Sequence, residues 1–240
     1  CSERFLKSRA AAADVGLLFE PTLPDGKLVS CRKGVGNFVF VVRGRSDHSV
    51  REFANGRNAV VACCRLMSAI HEFNYDPELT YNVGRVRGGH ALNVVPDLAI
   101  GRINVRVKTR EKMEVARNRL QVLAARFEGD GIGVAMSGRF TSPPKELDQS
   151  LELLQRRIEV CGGLLGHPIR WQGTGGASDG NKFAAAGLPN VDTLGPAGGQ
   201  IHSDAEFMDC ESLVPRAKLA TNVLLSFAAN AGQETIGLQT

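Results

Sequence analysis

From Leu98 to Lys108 the side chains alternate without a break. Ile103, Val105 and Val107 fall on one face, and Arg102, Asn104, Arg106 and Lys108 fall on the other. A strand of this kind has one buried and one wet face, so its sheet needs a covering layer on one side only. The flanking sequence offers that layer. Asn58 to Phe73 carries helical periodicity, and Arg110 to Phe127 is amphipathic, with Met113, Ala116, Leu120, Leu123 and Phe127 at helical spacing. Phe38 to Val42, Leu79 to Val86 and Ile132 to Met136 read as further strands. The order from 35 to 138 is then β-α-β-β-α-β, the split βαβ pattern of a compact ferredoxin-like unit.

The two ends have a different character. Phe5 to Asp14 is alanine-rich and helical, and it leads into an apolar strand, Val15 to Glu20, that stops in a carboxylate before Pro21. Thr141 to Lys145 reads as an exit linker, followed by a helix from Leu147 to Leu165 and a short strand from Ile169 to Trp171. A glycine-rich loop, Gly173 to Gly180, opens a helix through Ala186. Asn190 to Leu194 reads as a buried strand before the loop Gly195 to Ser203, and Glu211 to Ala231 as a closing amphipathic helix. The expectation is an α/β chain in which 1–34 and 141–240 form one domain and 35–140 an inserted lobe.

Charge and cysteine content narrow the function classes. The chain has 29 Lys and Arg against 25 Asp and Glu, and the two signs are interspersed, which argues against nucleic acid as a partner. No segment reaches the ~18 apolar residues of a membrane span, and the first residues carry charges where a signal peptide needs an apolar run. Six cysteines include no C-x-x-C pair, and Cys63 and Cys64 are neighbours on a helix, so buried reduced thiols of a cytoplasmic protein are expected.

Several residues are placed to do chemistry. Glu20 ends an apolar strand, where an ionised carboxylate is costly without a cation or donors. His202 lies in a flexible glycine loop after a buried strand, suited to presenting an imidazole to a metal or substrate. Asp204 is positioned either to orient that imidazole or to cap the next helix. The Gly173 loop has the look of a phosphate loop, but the sequence around Lys182 does not make G-x-x-x-x-G-K-[ST]. His48 follows the strand that opens the inserted lobe, and Asn93 and Arg106 are suited to converge on a carboxylate.

Taken in order, Leu17-Leu-Phe-Glu-Pro-Thr22, Gly44-Arg-Ser-Asp-His48, Gly56-Arg-Asn-Ala59, Asn93-Val-Val-Pro96, Asn104-Val-Arg106, Gly175-Gly-Ala-Ser-Asp179 and His202-Ser-Asp204 resemble one family. They are similar to the co-catalytic zinc amidohydrolases of the M20 metallopeptidase type, especially the carboxypeptidase G2-like branch. The resemblance implies the C-terminal part of a zinc-peptidase-like α/β catalytic domain, interrupted by a ferredoxin-like lid that dimerises. It implies Glu20 and His202 as ligands of two zinc ions, Asn93 and Arg106 as the grip on a substrate carboxylate, and Arg139 as help with a second carboxylate. It also implies His48 as the lid histidine that crosses into the partner subunit's active site, and the backbone around Ala177 as a substrate-facing loop.

In that family the remaining metal ligands and the general base lie upstream of the stretch that Cys1 begins. The resemblance therefore implies an amide or peptide hydrolase for substrates with a free carboxylate, present here without those groups. The alternative is a non-catalytic dimerising protein that has lost its metal site. A nucleotide-binding module rests on the Gly173 loop alone.

Overall fold

The computed structural model describes residues 2–237, with side chains from 4 to 229. The chain divides into two compact units, one built from the residues up to Arg32 and from Lys145 onward, the other from Lys33–Pro144.

The inserted unit contains β3 (Gly34–Arg43), α2 (Ala59–His71), β4 (Leu79–Gly88), β5 (Leu98–Val107), α3 (Arg110–Arg126) and β6 (Gly133–Ser142). Its four strands form one antiparallel sheet in the order β4-β5-β3-β6, which is the ferredoxin-like arrangement. Alternation decides which face is covered. Phe38, Phe40 and Val42 of β3 and Ile103, Val105 and Val107 of β5 are buried in one core with Leu66 and Ile70 of α2 and Leu120 of α3. Asn58 caps α2 by accepting from the Val61 N–H, and Thr109 caps α3 by accepting from the Lys112 N–H. Strand β6 is twice the expected length. Its second half is polar and contains Gly138 at φ +128°, where a Cβ would lie 2.2 Å from the Asn37 carbonyl, so hydrophobic periodicity does not reveal it.

The other unit contains α1 (Ser2–Ala10), β1 (Gly16–Leu17), β2 (Leu28–Arg32), α4 (Gln149–Leu164), β7 (Trp171–Thr174), α5 (Asp179–Ala185), β8 (Asn190–Val191), β9 (Gly198–Gly199), β10 (Phe207–Met208) and α6 (Leu213–Gly237). Strand pairs β1-β8 and β2-β7 are parallel, and β9-β10 is antiparallel. Leu28, Leu151, Leu154, Ile158, Val191, Leu194, Leu219 and Val223 form its core. The expected strand from Val15 to Glu20 is regular for two residues only, because prolines at 21, 189 and 196 remove ladder donors. The helix expected over residues 5–14 ends at Ala10, and its alanine tail tightens into a turn. No helix among the described residues is long and apolar enough to cross a membrane.

The thiols are not uniformly buried. Cys63 and Cys161 are enclosed, whereas Cys64 and Cys210 are exposed. Burial pushes the Cys63 thiol up to about 11. A maleimide is therefore expected to modify Cys64 and Cys210 in the native protein and to reach Cys63 and Cys161 only after unfolding, as peptide mapping would read. Equal labelling of Cys63 and Cys64 would contradict the packing of α2. Because the native thiol holds its proton more tightly than the unfolded one, its contribution to stability is intact below the ordinary thiol range. That contribution is lost as the pH rises towards about 11.

Candidate functional site

Beyond β1 the backbone stays paired with the 189–197 segment. The Leu18 N–H donates to Val191 O, the Gly195 N–H to Glu20 O at 3.1 Å, and the Thr22 N–H to Pro196 O. Glu20 is thus fixed at a strand end with its side chain exposed. Gly195 is needed there, because a Cβ would lie 2.6 Å from Phe19 O and 2.7 Å from Glu20 O. Thr22 and Ala197 form a parallel bridge, so the Glu20 segment runs beside the one that leads through β9 towards His202. His202 sits in the turn between β9 and β10 at φ +67°, and its N–H donates to Glu206 Oε2 at 3.1 Å. Among the described residues Asp204 neither bonds His202 nor caps a helix. Asp209 makes the cap, accepting from the Glu211 N–H.

An exposed carboxylate and an exposed imidazole are suitable zinc donors, but two donors do not hold a pair of ions. Among the described residues, no group of three or more His, Cys, Asp and Glu side chains is placed to hold a metal.

The glycine loop turns out to be organised around a buried carboxylate. Ser178 caps α5 in a capping box with Asn181, and its Oγ donates to Asp192 Oδ2 at 2.5 Å. Arg32 Nε donates to the same oxygen at 2.6 Å, while its Nη1 donates to Gly176 O at 3.1 Å. Lys145 Nζ lies 3.6 Å from Asp192 Oδ1, with both side chains fully buried. Burial holds the Lys145 ammonium below the usual lysine range. The helix N-terminus that resembles a phosphate site is therefore already served by Asp192, and Ala177 stands exposed on the loop above it. Lys145 is not linker. Strand β6 runs to Ser142, which leaves only Pro143 and Pro144 before a side chain that anchors the core. A lone lysine after two prolines gives no sequence signal for this.

In the inserted unit, His48 bridges to Val94, and the Ser49 N–H donates to Asn93 O at 3.0 Å, so the His48 and Asn93 loops are adjacent. His48 Nδ1 accepts from the Val50 N–H at 3.2 Å and the Arg51 N–H at 3.3 Å. A nitrogen that accepts amide protons carries none itself, so in the neutral ring Nε2 is the donor, and the side chain is exposed. Arg106 Nε donates to Asn104 Oδ1 at 2.8 Å, and Asn104 Nδ2 donates to Asn37 Oδ1 at 2.8 Å. Arg139 stands opposite Asn37 on β6. The two groups occupy opposite ends of β5: eight residue steps from Leu98 to Arg106 span roughly 27 Å of strand, and Asn93 precedes the Leu98 end. Along the strand, the Asn93 loop and Arg106 therefore lie toward opposite ends of β5.

A four-stranded antiparallel sheet with two helices on one face, and an exposed imidazole in the connection between its first strand and helix, defines a ferredoxin-like α/β unit. Residues 31–130 match the family model of the M20 peptidase dimerisation domain. The chain is 27% identical over 237 residues to carboxypeptidase G2 of Pseudomonas sp. strain RS-16, covering 95% of this chain and 56% of that protein. It matches the structure of aminopeptidase PepT from Bacillus cereus with a TM-score of 0.77 and 21% identity, over 92% of this chain and 61% of that one. The dinuclear metal-binding M20 peptidase YxeP of Bacillus subtilis matches with a TM-score of 0.69 and 17% identity, over 92% and 60% of the two chains. The fold is that of the M20 peptidases, and the chain spans little more than half the length of these relatives.

Proposed function

We propose that this chain supplies the lid and part of the catalytic domain of a zinc-dependent hydrolase. Its substrates would carry an amide or peptide bond next to a free carboxylate, and it would work as a cytoplasmic homodimer. The observation that carries this reading is the separation of the donors along β5. An Nε2–H with Asn93 at one end, and a guanidinium pre-ordered by Asn104 with Arg139 beside it at the other, serve a single substrate only if two chains contribute. An edge strand with its neighbouring helix, buried by a twofold partner, is the expected contact.

In this reading Arg106 and Arg139 hold the substrate carboxylate, because a guanidinium matches its two oxygens. The His48 Nε2–H of the partner copy donates to the carbonyl oxygen as negative charge develops there. Glu20 and His202 would each give one ligand to a metal centre completed by residues outside this chain. Bound metal would supply an acidified water and polarise the carbonyl.

The test compares an N-acyl amino acid with its carboxamide in the full-length enzyme. The acid is expected to be hydrolysed with a much lower KM, and Arg106→Ala is expected to erase that preference chiefly through KM. Equal hydrolysis of acid and amide, unchanged by Arg106→Ala, would overturn the carboxylate assignment.

A further inference from the structure

The sequence disperses its positive charge, but the folded sheet collects it. On the face of the sheet away from α2 and α3, alternation places Arg43, Arg85, Arg87, Arg102, Arg106 and Arg139, and no strand residue turned to that face is Asp or Glu. Strand β4 reaches this arrangement through an irregularity. Its register with β5 shifts between Val83 and Arg85, so that Val83 opposes Ile103 on the core side while Arg85 opposes Arg102 on the open side. One extra residue at Gly84 turns Arg85 and Arg87 outward; in unbroken alternation they would fall on the core face.

Arg85 and Arg102 are thereby direct cross-strand neighbours, and like charges so placed destabilise a sheet. Both are exposed, as is Arg87. Among the described residues, the guanidiniums of Arg85, Arg87 and Arg102 have no hydrogen-bond or ion-pair partner. A bulge that costs ladder bonds and sets two arginines side by side with no counter-charge fits a surface meant for an external anion.

We propose that Arg85, Arg87 and Arg102 form a docking surface for an extended, carboxylate-rich peptide. An extended chain presents alternate side chains about 6.8 Å apart on one side. That is the spacing of Arg85 from Arg87 along β4, and of Arg102, Asn104 and Arg106 along β5. Planar guanidiniums pair with carboxylates through two parallel hydrogen bonds. A nucleic-acid strand is less well served, because the aromatic rings of the sheet, Phe38, Phe40, Tyr81 and Phe140, belong to the core side and leave no platform for bases. The surface deepens the proposed activity by specifying an acidic substrate or product chain, and none of its three arginines is among the residues to which that reading gives a role.

The test measures fluorescence anisotropy of a labelled hexaglutamate peptide with the protein in its native oligomer, at low and high salt. The unmodified protein is expected to bind in a salt-sensitive manner. The Arg85→Gln/Arg87→Gln/Arg102→Gln variant is expected to bind about tenfold more weakly or worse, with a melting temperature no lower. If the triple variant does not fold, Arg85→Gln and Arg102→Gln separately carry the same comparison. No binding by the unmodified protein, or equal binding by the variants, would overturn the proposal. So would tighter, arginine-dependent binding of a single-stranded oligonucleotide of matched charge, which would assign the face to nucleic acid. Hydrolysis of a single-carboxylate substrate is assayed separately. Its absence beside intact hexaglutamate binding counts against the proposed activity and leaves this surface standing.

Discussion

Replacing Asp192 with alanine is expected to destabilise the protein by about 3–5 kcal/mol, the cost of leaving a buried charge without its partner. Asp192 is fully enclosed and serves three groups at once: Arg32 Nε, Ser178 Oγ and, at 3.6 Å, the Lys145 ammonium. Lys145 Nζ has no hydrogen bond of its own among the described residues, so nothing else compensates it. Urea unfolding would read the loss. The double variant Asp192→Ala/Lys145→Met is expected to recover a good part of it, because the stranded ammonium is then gone. A loss below about 1 kcal/mol, or no recovery in the double variant, would mean that water reaches the cluster and screens it.

The same cluster marks where sequence reading stops. Glu20 and His202 are legible because each punctuates a recognisable local pattern, a strand end at a proline and a histidine in a glycine loop. Asp192 sits inside what reads as a hydrophobic strand, and its partners lie at 32, 145 and 178. Only the tertiary fold shows that one carboxylate gathers residues from three parts of the chain. The Gly173 loop misleads for the same reason. Gly180 does mark a close approach, since a Cβ there would lie 2.2 Å from Asp192 Oδ2, yet the anion it meets is a side chain of the protein itself.

In the inserted unit the helices and the central strands are legible because each has one dry face, and the period of that face separates 2 from 3.6. What escapes is whatever departs from the period: the polar half of β6 and the extra residue at Gly84. The charge distribution escapes with them. Interspersed arginines look like a solvated surface until strand register stacks Arg85 against Arg102. Strand β2 escapes on other grounds, since Leu28–Arg32 is a short parallel strand, buried at its start, with no alternation to betray it.

The largest functional effect is expected at His48. Its Nδ1 is occupied by two backbone amides, so the ring offers Nε2–H as a fixed donor, and removing one donor to a developing oxyanion costs roughly 10²–10³ in rate. In the full-length enzyme His48→Ala should therefore lower kcat by that factor while metal content stays unchanged. The distance along β5 adds a stronger condition: if His48 and Arg106 act on one substrate, they come from different chains. Mixing inactive His48→Ala protein with inactive His202→Ala protein should then restore activity, because the heterodimer contains one site with an intact metal ligand and a donating histidine from the other copy. Recovery should approach a quarter of the native rate when subunits exchange at random in equal amounts, since half of the dimers are mixed and each has one working site. Demonstrable exchange of subunits without recovery would place His48 in the site of its own chain, and the cross-subunit assignment, with the sharing of one substrate between His48 and Arg106, would be abandoned.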